Sequence, residues 1–382
     1  MSTNTPTTTA LLLDSSSIKA IAPQWDELVR EDPRACQGLD ATSTWCWFDA
    51  LSASFPAAAS SRVVTVRAGD DLMGVLPLVE VAHSPFGSEL QVATDLNGGR
   101  NGLIIAENAG PDVLQDLLKG ITAAFPKWAT LTFTLSNQGS DAARFREACK
   151  SLGFQLRSHG VEPSPFFPIR TSEEEFRQGV AKNVLQMIRS GSNKAAKIGS
   201  LQYRVFEHPA DADAFLHAIL EIERQSWKHE AGTAITARPQ QMAFYSALFP
   251  RAMQHGQMFG LVLYLDDRPI AHHFGLIRGK VFSCLKHSNA ADFEKLRLGY
   301  LLVYELCNRL RERHVETFDF MGRAETHKLQ WSTENGLYHR ECFTAYSANW
   351  RGRGLAAARR LKAALKRAPS ATPALDDTKA PS

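Results

Sequence analysis

Apolar residues recur every three or four positions in some stretches of the chain and every second position in others. That alternation predicts helices interleaved with half-buried strands. In the C-terminal half, Ser172-x-x-Glu175 is a capping box opening a helical stretch expected to run to about Ala196. Gln202–Glu207 alternates as a strand. Asp211–Trp227 carries Phe215, Ile219 and Ile222 at helical spacing, and Gln240–Met253 carries Met242, Tyr245, Leu248 and Phe249. Met258–Leu265 and Ile270–Ile277 flank the turn residues Asp266-Asp267-Arg268 as a hairpin, with Lys280–Lys286 as a third strand. A strongly apolar helix follows at Leu298–Leu310, then a buried strand at Glu316–Met321. Ala324–Trp331 reads as a short helix and Tyr338–Tyr346 as a last strand.

The N-terminal half echoes this order. Trp45–Leu51 is helical, and Val63–Arg67 and Gly74–Val81 form a hairpin about Gly69-Asp70-Asp71. Asp112–Phe125 is a helix, Ala129–Leu135 a strand and Asp141–Leu152 a helix. The two Asp-Asp turns lie 196 residues apart, and the helices beginning near Pro111 and Arg297 lie 186 apart. Similar spacing of two unlike elements predicts a duplicated α/β (α+β) fold. The expected segments are 11–165 and 166–350, with residues 1–10 and 368–382 disordered because they are rich in Ser, Thr, Pro and Ala.

Composition narrows the class. The 382 residues are 44% apolar and 22% charged, as in soluble globular proteins. No run of 18 apolar residues exists, and Met1–Ala10 has no basic region before Leu11-Leu12-Leu13, so neither a membrane span nor a secretory signal is expected. Six scattered cysteines without a CxxC pair read as reduced thiols of a cytoplasmic protein. The net charge of +3 is uneven: residues 351–367 hold seven basic residues and no acid, and with the tail residues 351–382 total +6, leaving residues 1–350 at −3. The body is therefore not charged as a DNA binder. Gly354–Arg367 reads as a basic helix with Leu355, Ala358, Leu361 and Leu365 on one stripe. Such a helix suits docking on the acidic body or weak contact with an anionic membrane surface.

Several residues are placed for chemistry. Arg297-Leu298-Gly299-Tyr300-Leu301-Leu302 follows a strand and opens a helix, where unpaired amides and the positive dipole end suit a pyrophosphate. Lys286-His287-Ser288-Asn289 ends the third strand; Trp227-Lys228 ends a helix, as a core Trp beside a C-terminal cation or as part of a site. Asp319, in an otherwise apolar strand, must be satisfied by partners or lie at a cleft. With Lys286 and Lys328 it would line one cleft; alternatively it forms a local pair with Lys328. His272 and His273 are adjacent in a strand and face opposite sides, and no nearby Cys or carboxylate in sequence completes a ligand set, so no metal site is expected. Neither GxSxG nor a Walker loop is present.

Five runs in order resemble one family. Glu223-Arg-Gln-Ser-Trp227-Lys228 resembles its Glu-x-x-Ser-Trp-Lys helix end, and Asp267-Arg-Pro269-Ile270-Ala271 its Gly-x-Pro-Ile-Ala run, with Asp267 for Gly. Lys286-His287 resembles its Lys-x-x-Tyr-Asp strand end without the Tyr-Asp, and Leu298-Gly299-x-Leu301-Leu302 its Pro-Gly-x-x-Leu turn. Phe318-Asp319-Phe320, Gly322 and His327-Lys328-Leu329-Gln330-Trp331 resemble Phe-Asp-Phe, Gly and Tyr-Lys-x-x-Trp; Val75-Leu76-Pro77-Leu78 resembles its N-terminal strand. The family is the GNAT-fold acyltransferases of the cellulose and exopolysaccharide biosynthesis (CelD-like) type, related to the FemAB peptidyltransferases. Over residues 40–350 the resemblance implies two tandem GNAT-like halves, each a mixed twisted sheet flanked by helices, with the better-preserved site in the second. It implies transfer from acyl-CoA, held by Arg297, Leu298, Gly299, Tyr300 and Leu301, to a sugar or envelope-precursor acceptor. General-base candidates are Glu223, His287 and Asp319; Trp227, Lys228, Lys286, Lys328 and Trp331 would meet substrate. Two alternatives stand beside it. One is a FemAB-like transferase using aminoacyl-tRNA, for which no long charged coiled-coil arm is seen. The other is a non-catalytic scaffold, which the missing Tyr-Asp favours.

Overall fold

The computed structural model describes residues 7–12, 15–30, 41–54, 61–93, 102–136, 139–331 and 336–367. The strands are β1 (Thr7–Leu12), β2 (Arg62–Ala68), β3 (Asp71–Ser84), β4 (Gly87–Val92), β5 (Ile104–Ile105), β6 (Trp128–Ser136), β7 (Gln155–Pro168), β8 (Leu201–Phe206), β9 (Met258–Leu265), β10 (Arg268–Arg278), β11 (Val281–Asn289), β12 (Thr317–Asp319) and β13 (Leu337–Tyr346). The helices are α1 (Ser15–Ala20), α2 (Ala22–Arg30), α3 (Trp45–Ser54), α4 (Pro111–Ala124), α5 (Asp141–Ser151), α6 (Glu173–Gly179), α7 (Lys182–Ala195), α8 (Ala212–Arg224), α9 (Trp227–Glu230), α10 (Pro239–Gln254), α11 (Leu298–Glu312), α12 (Thr326–Leu329) and α13 (Trp350–Arg367).

All strands among the described residues join one mixed sheet in the order β1-β2-β3-β4-β6-β13-β7-β12-β11-β10-β9-β8, with β5 beside β3. Two neighbours are parallel, β4–β6 and β11–β12; each pair is linked through a helix, α4 or α11. The same order, three antiparallel strands, helix, parallel strand, thus occurs twice, as the turn spacing predicts. The halves also interleave. β13, from the end of the chain, lies between β6 and β7, while β7 continues past it to pair with β12. A cut at residue 165 passes through β7.

The hairpin turns carry their own explanation. Asp266 and Asp267 both have positive φ, 46° and 67°. A two-residue turn of that hand matches strand twist, and Asp is one of the few side chains that tolerate it. Asp266 Oδ1 also accepts the Ser200 amide at 2.8 Å. Asp therefore replaces the Gly of the resembling run without loss of the turn.

Three packed regions hold the sheet. On one face α4 and α5 cover the first half, around Leu114, Leu118, Phe133 and Phe145. On the same chain's second half, α6, α7 and α11 bury Phe176, Leu301, Leu306 and Trp331. The third core joins the halves: Trp25, Trp47 and Phe48 from α2 and α3 pack with Phe215, Phe244, Tyr245 and Phe249 from α8 and α10.

Several expectations are corrected. Residues 7–10, expected to be disordered, belong to β1 on the edge of β2; the rest of that stretch and residues 368–382 lie outside the described residues. The helix expected over 172–196 is two, because Gly179 ends α6 and Val180 and Ala181 are extended. Ser172 Oγ accepts the Glu175 amide as predicted, but the Glu175 carboxylate returns to Thr171. The helix expected to reach Trp227 stops at Arg224. The strand expected over 316–321 is confined to Thr317–Asp319, and the helix over 324–331 to Thr326–Leu329. The basic C-terminal helix forms, from Trp350 to Arg367. It docks on the sheet through Leu355 and Ala356 against Ala129, Tyr346 and Phe86, and Arg359 pairs with Glu89. Ala358 and Leu361, expected on its apolar stripe, are exposed.

Candidate active site

β11 and β12 run in parallel over three residue pairs, Val281–Thr317, Phe282–Phe318 and Ser283–Asp319, and then separate. The cause is local. Asp319 Oδ1 accepts the Met321 amide at 2.8 Å, and Met321 takes a φ of 57°, which turns the chain out of the strand. The Tyr338 hydroxyl holds the same carboxylate at 3.0 and 3.2 Å. Phe320 and Ala324 then donate to the carbonyls of Pro165 and Pro163, so the chain follows β7 while β11 continues along β10 to Asn289.

Two cavities flank this opening. One, of about 80 Å³, is bordered by His272, His273, His287 and Ser288 of β10 and β11, by Gly299 and Tyr300 at the start of α11, and by Trp331. The other, of about 160 Å³, is bordered by Trp47 of α3, Tyr245 of α10, Cys284, Met321 and Lys328. His287 and Phe320 border both. The first cavity contains unpaired polar atoms: both ring nitrogens of His272, Nδ1 of His273 and Oγ of Ser288 are buried without a hydrogen-bond partner. Trp47 Nε1 is likewise unpaired beside the second. Buried polar groups are nearly always satisfied, so this concentration of unpaired atoms is unusual for the interior of a sheet.

Behind the cavities lies a buried charge cluster. Glu223, at the end of α8, is fully buried; its Oε2 accepts the Ile235 amide, and its Oε1 is 3.3 Å from Lys286 Nζ and 3.8 Å from His272 Nε2. Glu223 and Lys286 meet as charges without an aligned hydrogen bond. The Lys228 ammonium donates to the His287 carbonyl. Burial pulls Lys228 down to about 8, with Glu223 opposing the shift, and lowers Lys286 against the same carboxylate. Burial also lowers His272 and His287 well below the usual imidazole range and holds His273 at about 3, the nearby Lys228 adding to each. All three rings are therefore neutral near pH 7.

The sequence-based candidates separate on this map. His287 borders both cavities. Glu223 lies behind Lys286, and Asp319 ends β12; neither borders either of these two cavities. Lys328 borders the second cavity, but its ion-pair partner is Glu325 at 3.1 Å, and it donates to the Arg323 carbonyl. Asp319 instead holds Met321 and Tyr338, so the expected cleft of Lys286, Lys328 and Asp319 is not one lining. Trp227 is 61% exposed, neither in the core nor at a cavity. Trp331 is buried, stacks on Phe167 and Tyr300 and borders the first cavity. At the start of α11, Leu298 and Leu301 are in the core, so only their backbone is available to a ligand. Arg297 and Gly299 are exposed, and a Cβ on Gly299 would meet nothing within 4 Å. Tyr300 donates to Gln330 Oε1 at 2.7 Å.

Sequence reasoning missed three contributors. Trp47 and Tyr245 come from helices remote in sequence, and nothing local to either marks it. The expectation that no cysteine stands near His273 is also corrected. Cys284 on the neighbouring strand places Sγ 3.4 Å from His273 Nε2, and with His287 the three ligand atoms lie within 4.8 Å of one another.

Residues 182–329 match the acetyltransferase (GNAT) domain family. No curated protein sequence matches the chain. Among solved structures, FemX is similar at a TM-score of 0.60 and 12% identity, over 85% of this chain and 95% of that one. The C-terminal domain (DUF2156) of a putative lysylphosphatidylglycerol synthetase from Agrobacterium fabrum is similar at 0.53 and 12%, over 91% and 96%. L-PGS from Bacillus licheniformis is similar at 0.50 and 14%, over 88% and 92%. At such identities the likeness is one of fold. The opening between β11 and β12 falls inside the region, residues 182–329, that matches the acetyltransferase (GNAT) domain family.

Proposed function

We propose that this chain transfers an acyl group, in the first instance acetyl, from acyl-CoA to an amine or hydroxyl of a polysaccharide or cell-envelope precursor. The observation that supports it best is the parting of β11 from β12, with one cavity on each side and His287 at their junction. The donor's acyl end is assigned to the first cavity. Exposed Gly299 leaves room for a pyrophosphate at the positive end of α11, and the unpaired atoms of His272, His273 and Ser288 offer partners to the polar chain behind it. The acceptor then enters by the second cavity, between Trp47, Tyr245 and Lys328.

A bound thioester supplies the activated carbonyl; the protein's work is placement and proton removal. His287, neutral and shared by both cavities, takes the proton from the acceptor's amine or hydroxyl. Lys228, bonded to the His287 carbonyl, fixes that segment of β11. Glu223 and Lys286 position the strand from behind. No acyl-enzyme is required. We place the activity in the cytoplasm, at the inner face of a membrane that the exposed side of α13 contacts; no helix among the described residues is long and apolar enough to cross one.

Calorimetry with acetyl-CoA tests the reading. Saturable binding is expected. No binding to the folded chain would leave the scaffold reading, and binding of aminoacyl-tRNA without acetyl-CoA would leave the peptidyltransferase one.

A further inference from the structure

We propose that His273, Cys284 and His287 form a binding site for a zinc-class divalent cation where the two cavities meet. His273 and His287 are directly opposite on β10 and β11, and cross-strand partners share a face. Cys284 lies three residues before His287, an odd separation that in a regular strand would put it on the other face. A bulge changes this. Phe274 is opposite Lys286, but Gly275 is opposite Cys284, so Leu285 is an extra residue and Cys284 returns to the side of the two histidines. The bulge depends on Gly275: a Cβ there would lie 2.2 Å from the Ser283 carbonyl oxygen and 2.6 Å from the Phe282 ring.

The spacing suits a tetrahedral ion. Cys284 Sγ and His273 Nε2 are 3.4 Å apart, close to the roughly 3.5 Å between sulfur and nitrogen ligands on zinc. The third ligand atom is within 4.8 Å of both and closes by rotation of the half-buried His287 ring. One sulfur and two imidazole nitrogens favour zinc over magnesium or calcium. Binding releases the Cys284 thiol proton to solvent as the sulfur takes the ion. Three ligands leave a fourth position open, and the nearby Lys228 ammonium opposes the added charge, so affinity is expected below that of a four-ligand structural site. If His287 is the base proposed above, an ion held by it occupies the imidazole nitrogen needed for the proton, and zinc inhibits transfer.

The test is independent of that activity. Cobalt(II) is titrated into the chelator-treated, full-length chain while absorption is followed. One equivalent is expected to give the visible bands of a tetrahedral site and a thiolate charge-transfer band, both removed by excess zinc. Cys284→Ser should remove the charge-transfer band. His287→Ala, at a half-buried position, should weaken zinc binding at least tenfold while circular dichroism is unchanged. Absence of a thiolate band, or a band that survives Cys284→Ser, overturns the proposal. Unchanged zinc affinity in folded His287→Ala overturns it as well.

Discussion

The two halves share an order of elements and differ in what their parallel strands do. In the first half β4 and β6 pair through Ser88–Trp128, Glu89–Thr130, Leu90–Leu131 and Gln91–Thr132, and β6 runs on to Ser136 beside β13. The space between that sheet and α4 is closed by the apolar side chains of Val75, Val92, Leu103, Ile104, Leu114, Leu117 and Phe133, which leave a void of only about 10 Å³. In the second half Asp319 stops β12 after three residues, and the corresponding space is bordered by imidazoles and hydroxyls. One buried carboxylate that turns the chain separates a packed half from an open one. The first half instead supplies a wall: Trp47 of α3 borders the second half's cavity.

The sharpest test is the buried charge pair behind the open half. Lys286→Ala leaves Glu223 fully buried with its main cation gone, which costs about 3 kcal/mol. Lys328→Ala removes a partner from Glu325, whose side chain is 56% exposed, and should cost about 1 kcal/mol or less. Urea denaturation measures both. Loss of activity in Lys286→Ala therefore cannot be read as loss of a substrate contact, whereas in Lys328→Ala it can. Equal stability of the two variants would mean that Glu223 is neutral or held by Lys228 alone.

A paired substitution tests which half binds the donor. Gly110 precedes α4 and Gly299 lies in the first turn of α11, and a Cβ at either meets nothing within 4 Å. Gly299→Asp puts a negative charge where the phosphates are proposed to sit and should weaken acetyl-CoA binding at least tenfold, about 1.4 kcal/mol. Gly110→Asp should leave it unchanged, and calorimetry should give one acetyl-CoA per chain. Two per chain, or a loss with Gly110→Asp, would show that the first half has kept a donor site.

Much of this contrast was legible in the sequence. Alternation placed β9, β10 and β11 within a few residues, and the two turns join equivalent strands, although the first is Gly69-Asp70, with Asp71 already in β3, rather than an Asp-Asp pair. Other parts were hidden for physical reasons. β7 carries an irregular, largely exposed pattern because it joins two halves. β12 read as six residues because Phe320 and Met321 are apolar, although the Asp319 side chain ends the strand at the third. Cys284 reaches His273 only through a bulge, and a one-residue change of register leaves no mark on hydrophobic spacing. Trp227 sits in a run that resembles a family motif, yet it opens α9 facing solvent.

The smallest expected effect concerns the basic helix that backs the first half. α13 is anchored by Leu355 and Ala356, so truncation at Trp350 would uncover Tyr346 and Ala129 and confuse loss of stability with loss of a surface. A point substitution avoids this. Arg353 is exposed on α13, on a helix that also leaves Trp350 and Leu361 more than 60% exposed. A basic residue near an anionic bilayer contributes on the order of 1 kcal/mol, so Arg353→Ala should lower co-sedimentation with anionic vesicles about fivefold at low salt and leave thermal stability unchanged. Arg359→Ala breaks the pair with Glu89 and should do the reverse: a small loss of stability with vesicle binding retained. High salt should abolish the vesicle binding of the unmodified chain. If Arg353→Ala sediments as the unmodified chain does, α13 serves only to cover the back of β6 and β13.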